Sequence, residues 1–181
     1  MNTIRLLSVF ILSLIASVIQ AEEIILGPRT EISHPGKGHE VHISGAAVAV
    51  TRNGEALVAW AAQEGQTNNL YLARPGAEGA KPVRINPEGM AVDSLHQPPG
   101  IALGLEGEVY VSWSSAKPKP EGVFFASDLR LSRSLDGGKS FESHLRVNED
   151  RPTSHSFEGL AVAADGTVLV FRRINFAGLS F

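Results

Sequence analysis

The chain has no cysteine among its 181 residues. That excludes a disulfide framework, a thiolate metal site and a cysteine nucleophile. Charge is also sparse: Asp, Glu, Lys and Arg make up 19% of the chain, and the formal net charge is −3. No basic footprint is present, so no nucleic-acid partner is expected. Disorder is not expected, because 43% of the residues are hydrophobic, an ordinary globular share. Gly and Pro, by contrast, are plentiful, at 18 and 10 residues. They point to many turns and so to β-structure.

Long apolar runs are missing after the first residues. Arg5 gives a positive start, Leu6–Ile19 is apolar apart from three serines, and Ile19-Gln20-Ala21 fits a small-residue cleavage site. Residues 1–21 therefore read as a secretory signal peptide. The run is shorter than the roughly 20 residues needed to span a bilayer. The expected product is secreted or periplasmic, with no membrane span after cleavage. Without cysteine its core must come from packing alone.

The remaining sequence repeats itself. Residues 46–61 (AAVAVTRNGEALVAWA), 100–114 (GIALGLEGEVYVSWS) and 159–173 (GLAVAADGTVLVFRR) share one pattern. Each has an apolar strand, a turn ending in Gly54, Gly107 or Gly166, and an alternating strand ending in Trp60, Trp113 or Phe171. Asn53-Gly54 and Asp165-Gly166 are strong hairpin signals. The period of two puts Val58 and Trp60, then Val109, Val111 and Trp113, then Val168 and Val170, on one face of each unit. Trp60 and Trp113 are expected in the core.

The likeness continues past the hairpins. Leu70-Tyr71-Leu72-Ala73-Arg74 matches Leu129-Arg130-Leu131-Ser132-Arg133, and Pro82-Val83-Arg84-Ile85-Asn86 matches His144-Leu145-Arg146-Val147-Asn148. Four short strands per unit of roughly 55 residues predict propeller blades, somewhat lengthened by loops. The fold expectation is an all-β propeller of four-stranded antiparallel blades, over about 40–90, 95–150 and 155–181. A β-sandwich is the alternative.

Ser134-Leu135-Asp136-Gly137-Gly138-Lys139-Ser140-Phe141 resembles the Asp-box, Ser/Thr-x-Asp-x-Gly-x-Thr/Ser-Trp/Phe. This motif recurs in the sialidase (neuraminidase) superfamily, in the bacterial-neuraminidase-repeat propellers. The local chemistry is sensible: Asp136 can accept hydrogen bonds from the turn's own N–H groups. The resemblance implies a structural role for Ser134, Asp136, Gly138, Ser140 and Phe141, away from any active centre. It also implies six blades, roughly 330 residues at this repeat length. The expectation is a truncated member with two full blades and the start of a third. The alternative is a short protein that completes its ring by self-association.

Sialidase chemistry, as the resemblance implies it, needs three arginines, an aspartate acid/base and a tyrosine nucleophile paired with glutamate. The usual Phe/Tyr-Arg-Ile-Pro motif is absent. Gly27-Pro28-Arg29-Thr30 matches poorly, and Phe171-Arg172-Arg173-Ile174 lacks the proline. No catalytic residue can be carried over, and enzymatic activity stays open.

Three histidines carry another signal. His96 and His155 stand eleven residues before their turn glycines, and His42 stands twelve before its own. Before the innermost strands of a propeller they would converge at one mouth of the channel. Neutral imidazoles there could bind Zn²⁺ or Cu²⁺. They could equally hydrogen-bond neighbouring blades or line a polar pore. His39-Glu40-Val41-His42 is one residue short of a metalloprotease helix motif. The leading expectation is recognition of a glycan or small-molecule ligand. The alternatives are an exo-sialidase fragment and a periplasmic metal-binding propeller.

Overall fold

The computed structural model describes residues 29, 32, 43–64, 67–76, 81–90, 92, 97–118, 121, 126–150 and 154–175. The segment read as a signal peptide, residues 1–21, lies outside them. The fold is all-β: among the described residues there is no helix, and every paired strand is antiparallel to its neighbour.

Three sheets follow one another along the chain. The first contains β1 (Ile43–Val50), β2 (Ala56–Glu64), β3 (Thr67–Ala73) and β4 (Val83–Arg84), in that spatial order. The second contains β5 (Gly100–Leu103), β6 (Val109–Ala116), β7 (Ser127–Ser134) and β8 (Leu145–Arg146), again in sequence order. The third is the pair β9 (Ser154–Val162) and β10 (Val168–Asn175).

Each sheet starts with a hairpin whose last turn residue is glycine. Gly54, Gly107 and Gly166 have φ of +84°, +97° and +84°. A side chain there would clash with the backbone, which is why glycine ends each turn. The Gly54 N–H donates to the Thr51 carbonyl at 2.9 Å, and the Gly166 N–H to Ala163 at 3.0 Å. These bonds fix the registers that follow, Val48 opposite Val58 and Val162 opposite Val168.

Register decides which side chains meet between sheets. Leu57, Ala59, Ala61, Leu70 and Leu72 of the first sheet form one core with Val109, Val111 and Trp113 of the second. Ile101 and Leu103 pair with Val111 and Val109 and pack onto that core from β5. Ile85 and Val92, from the connection between the sheets, are buried in it. The other face of the second sheet meets the third. An ideal Cβ placed on Gly100 would stand 3.2 Å from the Leu160 Cβ. The first strands lie in a row, with β5 beside both β1 and β9.

Both tryptophans belong to the interior, Trp60 at 4% and Trp113 at 1% exposure. Neither offers a sugar-stacking platform. Trp60 packs with Tyr71, ring centroids 5.9 Å apart, and with Ile32 on the outer face of the first sheet. Phe171, the aromatic that ends the corresponding strand of the third unit, is placed differently. It follows its turn glycine by five residues where Trp60 and Trp113 follow by six, so it falls on the opposite face. It pairs with Gly159 and is 64% exposed. The counterpart of Trp113 in the third sheet is Arg172.

Candidate functional site

The two ends of the sheets differ in kind. In an antiparallel meander the first and third turns lie at the same end. That end of the second sheet carries the β5–β6 turn and the β7–β8 connection, where the Asp-box sequence stands.

Ser134–Ser140 forms a closed hydrogen-bonded turn. The Asp136 Oδ1 accepts from the Lys139 N–H and the Ser140 N–H, each at 2.9 Å, and from the Ser134 hydroxyl at 2.7 Å. The Ser140 hydroxyl donates to Oδ2 at 2.6 Å. The Gly138 N–H donates to Ser134 Oγ at 2.6 Å. The hydroxyls of Ser140 and Ser134, with the backbone donors, hold the Asp136 carboxyl well below the usual carboxylate range.

The turn is also a docking element. Gly138 has φ of +91°, and a Cβ there would run into Leu72 of the first sheet. The Arg74 guanidinium donates to the Gly137 carbonyl. Phe141 packs half-buried against the core between the sheets. Both carboxylate oxygens of Asp136 are engaged by its own turn.

The opposite end gathers ionisable groups. Asp128, the second residue of β7, is buried. Its Oδ1 accepts from Lys117 Nζ at 2.9 Å and from Asn148 Nδ2 at 3.1 Å, and its Oδ2 from Arg130 Nη2 at 2.9 Å. Burial pushes this carboxyl up, but Asn148, Lys117 and Arg130 together outweigh it and hold it below its ordinary value. Arg130 also donates to Ser115 Oγ at 3.2 Å. Asp150, largely exposed, lies 3.6 Å from Lys117 Nζ and 3.2 Å from Arg146 Nη1. His144 is half-buried beside Trp113, ring centroids 6.0 Å apart. Burial, then the Arg130 charge, holds its imidazole below the ordinary value.

Beneath this cluster lies a repeated clip. The Asn148 Oδ1 accepts from the buried Leu129 N–H at 2.6 Å, and the Asn86 Oδ1 from the Leu70 N–H at 2.7 Å. Each amide thus completes the ladder where the short outer strand ends. In the first sheet Asn69 takes the place of Asp128, and the Asn86 Nδ2 donates to its Oδ1 at 3.2 Å. The second sheet keeps the clip and adds charge.

The histidines were the sharper expectation. His42 and His96 lie outside the described residues. His155 stands inside β9, opposite Ile174, not before the strand, because β9 begins earlier relative to its turn than β5 does. Its side chain is also outside the described part. Among the described residues no three His, Cys, Asp or Glu side chains form a group that could hold a metal ion. Lys117, Asp128, Arg130 and Asn148 were missed as a site. The signal was there: Asn69 and Tyr71 in the first repeat become Asp128 and Arg130 in the second.

No family model matches the chain, and no curated protein matches it. It is similar to a solved structure of a protein of unknown function from Dyadobacter fermentans, at 18% identity and a TM-score of 0.45. The likeness covers 68% of this chain and 32% of that one.

Proposed function

We propose that the chain is a sector of an exported, sialidase-like Asp-box propeller. In this reading it recognises a glycan or small ligand at the sheet end that carries Lys117, Asp128 and Arg130. The observation that carries the reading is the asymmetry of the second sheet. One end is sealed by the Asp-box turn and its hydrogen bonds. The other brings three cations, Lys117, Arg130 and Arg146, around two carboxylates, Asp128 and Asp150. Acidic sugars are the natural first probes of such a surface. The row formed by β1, β5 and β9 supports the propeller part, because blades stack with their first strands nearest the axis.

Recognition without hydrolysis is favoured, since no arginine triad or Tyr/Glu pair is identifiable in the sequence. The test is a glycan array probed with the purified chain, alongside a fluorogenic sialoside and metal analysis. Binding to acidic glycans that falls at least tenfold in Lys117→Ala supports the reading. Release of the fluorophore assigns an enzyme instead. Zinc or copper that copurifies, and is lost in His96→Ala and His155→Ala, assigns the metal-binding propeller. A folded chain that binds no glycan overturns recognition.

A further inference from the structure

The two ends of the three-sheet stack expose apolar strips that match each other. On the first sheet, Val48 and Val50 of β1 are each 61% exposed. On the third, Leu169 and Phe171 of β10 are 41% and 64% exposed. The contact between the first two sheets shows what such strips do. Val48 and Val50 precede Gly54 at the spacing by which Ile101 and Leu103 precede Gly107. Ile101 and Leu103 pack onto the core containing Leu57 and Ala59. Leu169 and Phe171, in turn, follow Gly166 at the spacing by which Leu57 and Ala59 follow Gly54. The stack therefore ends in the two halves of a contact it already makes internally.

We propose that a second copy of this chain docks head to tail, its Val48–Val50 strip on the Leu169–Phe171 strip of the first. The contact pairs different surfaces, so it either closes into a ring or continues as an open chain, as the rotation per sheet dictates. Neighbouring Trp60 is already covered by Ile32 and Tyr71, which confines the docking strip to the β1 side. The docking strips follow from the stacking of the sheets alone and are independent of any ligand bound at the Lys117–Asp128–Arg130 end.

The test is sedimentation equilibrium on the purified chain over a hundredfold concentration range. Self-association is expected, weakened at least tenfold by Phe171→Glu and, separately, by Val48→Glu. Both sites are exposed, so the folded circular dichroism spectrum should persist. An equimolar mixture of the two variants restores one sound contact and should form a mixed dimer that neither variant forms alone. A wild-type chain that stays monomeric throughout, or an oligomer indifferent to Phe171→Glu, overturns the proposal. So does a mixture that stays monomeric.

Discussion

Replacing Asn148 with Ala removes the most heavily used side-chain amide in the second sheet. Its Oδ1 is the partner of the Leu129 N–H, and Leu129 is fully buried. An orphaned buried donor costs about 1–3 kcal/mol. Its Nδ2 donates to Asp128 and, at 2.7 Å, to the Glu149 carbonyl. Losing a bond to a charged partner costs about 1.5–3 kcal/mol. Allowing for partial relaxation, the expected loss is about 3 kcal/mol, or a Tm lower by roughly 6–12 °C at this domain size. Urea unfolding at pH 7, followed by circular dichroism, measures it. Asn148→Asp serves as the internal control. It keeps the acceptor for Leu129 but sets a second carboxylate against Asp128. It should be destabilised at pH 7 and recover as the pH falls towards 4, when one carboxyl takes a proton. A loss under about 1 kcal/mol in Asn148→Ala would refute the reasoning, as would an Asn148→Asp variant that is pH-indifferent.

Asp128 gives a second pH signature. Its folded pKa lies below 3.8, so its contribution is complete above that value and fades as the pH falls below it. Asp128→Asn should flatten that part of the acid limb in pH-dependent unfolding. Gly138→Ala combines a left-handed φ with a clash against Leu72 and should cost about 2–3 kcal/mol, whereas Gly54→Ala, which meets nothing within 4 Å, should cost about 1 kcal/mol. Chemical unfolding of the two side by side checks the difference. Trp113→Ala should lose about 3–5 kcal/mol in the same assay, because the indole fills the core between the sheets.

The all-β class was legible because local signals agreed with one another. Turn glycines, alternating valines and repeated strand blocks all specify antiparallel hairpins. The hydrogen-bonded Ser134–Ser140 turn was legible for a similar reason, since every partner of Asp136 lies within four residues of it. The charge cluster was not. Lys117, Asp128 and Asn148 are brought together only by the pairing of β6, β7 and β8, and spacing along the chain does not show such meetings. Phe171 lies on the other face from Trp60 and Trp113 because its offset from the turn glycine is one shorter, and a single residue reverses the face. Lys117 follows directly on β6, and its side chain reaches a buried carboxylate on β7.

The central feature of the fold is the stacking of the sheets with their first strands side by side. The absence of cysteine makes this directly measurable, because only an introduced pair can form a disulfide. Gly100→Cys with Leu160→Cys places one thiol on β5 and the other on β9. Their Cβ atoms would be 3.2 Å apart before adjustment, near the roughly 3.8 Å typical of disulfides. Ser112→Ala clears the hydroxyl that crowds Gly100, and that hydroxyl has no hydrogen-bond partner to lose. Intact-mass analysis under mild oxidation should show loss of two hydrogens in the monomer and no thiol left to alkylate. Two free, alkylatable thiols in a folded monomer would contradict the stacked arrangement.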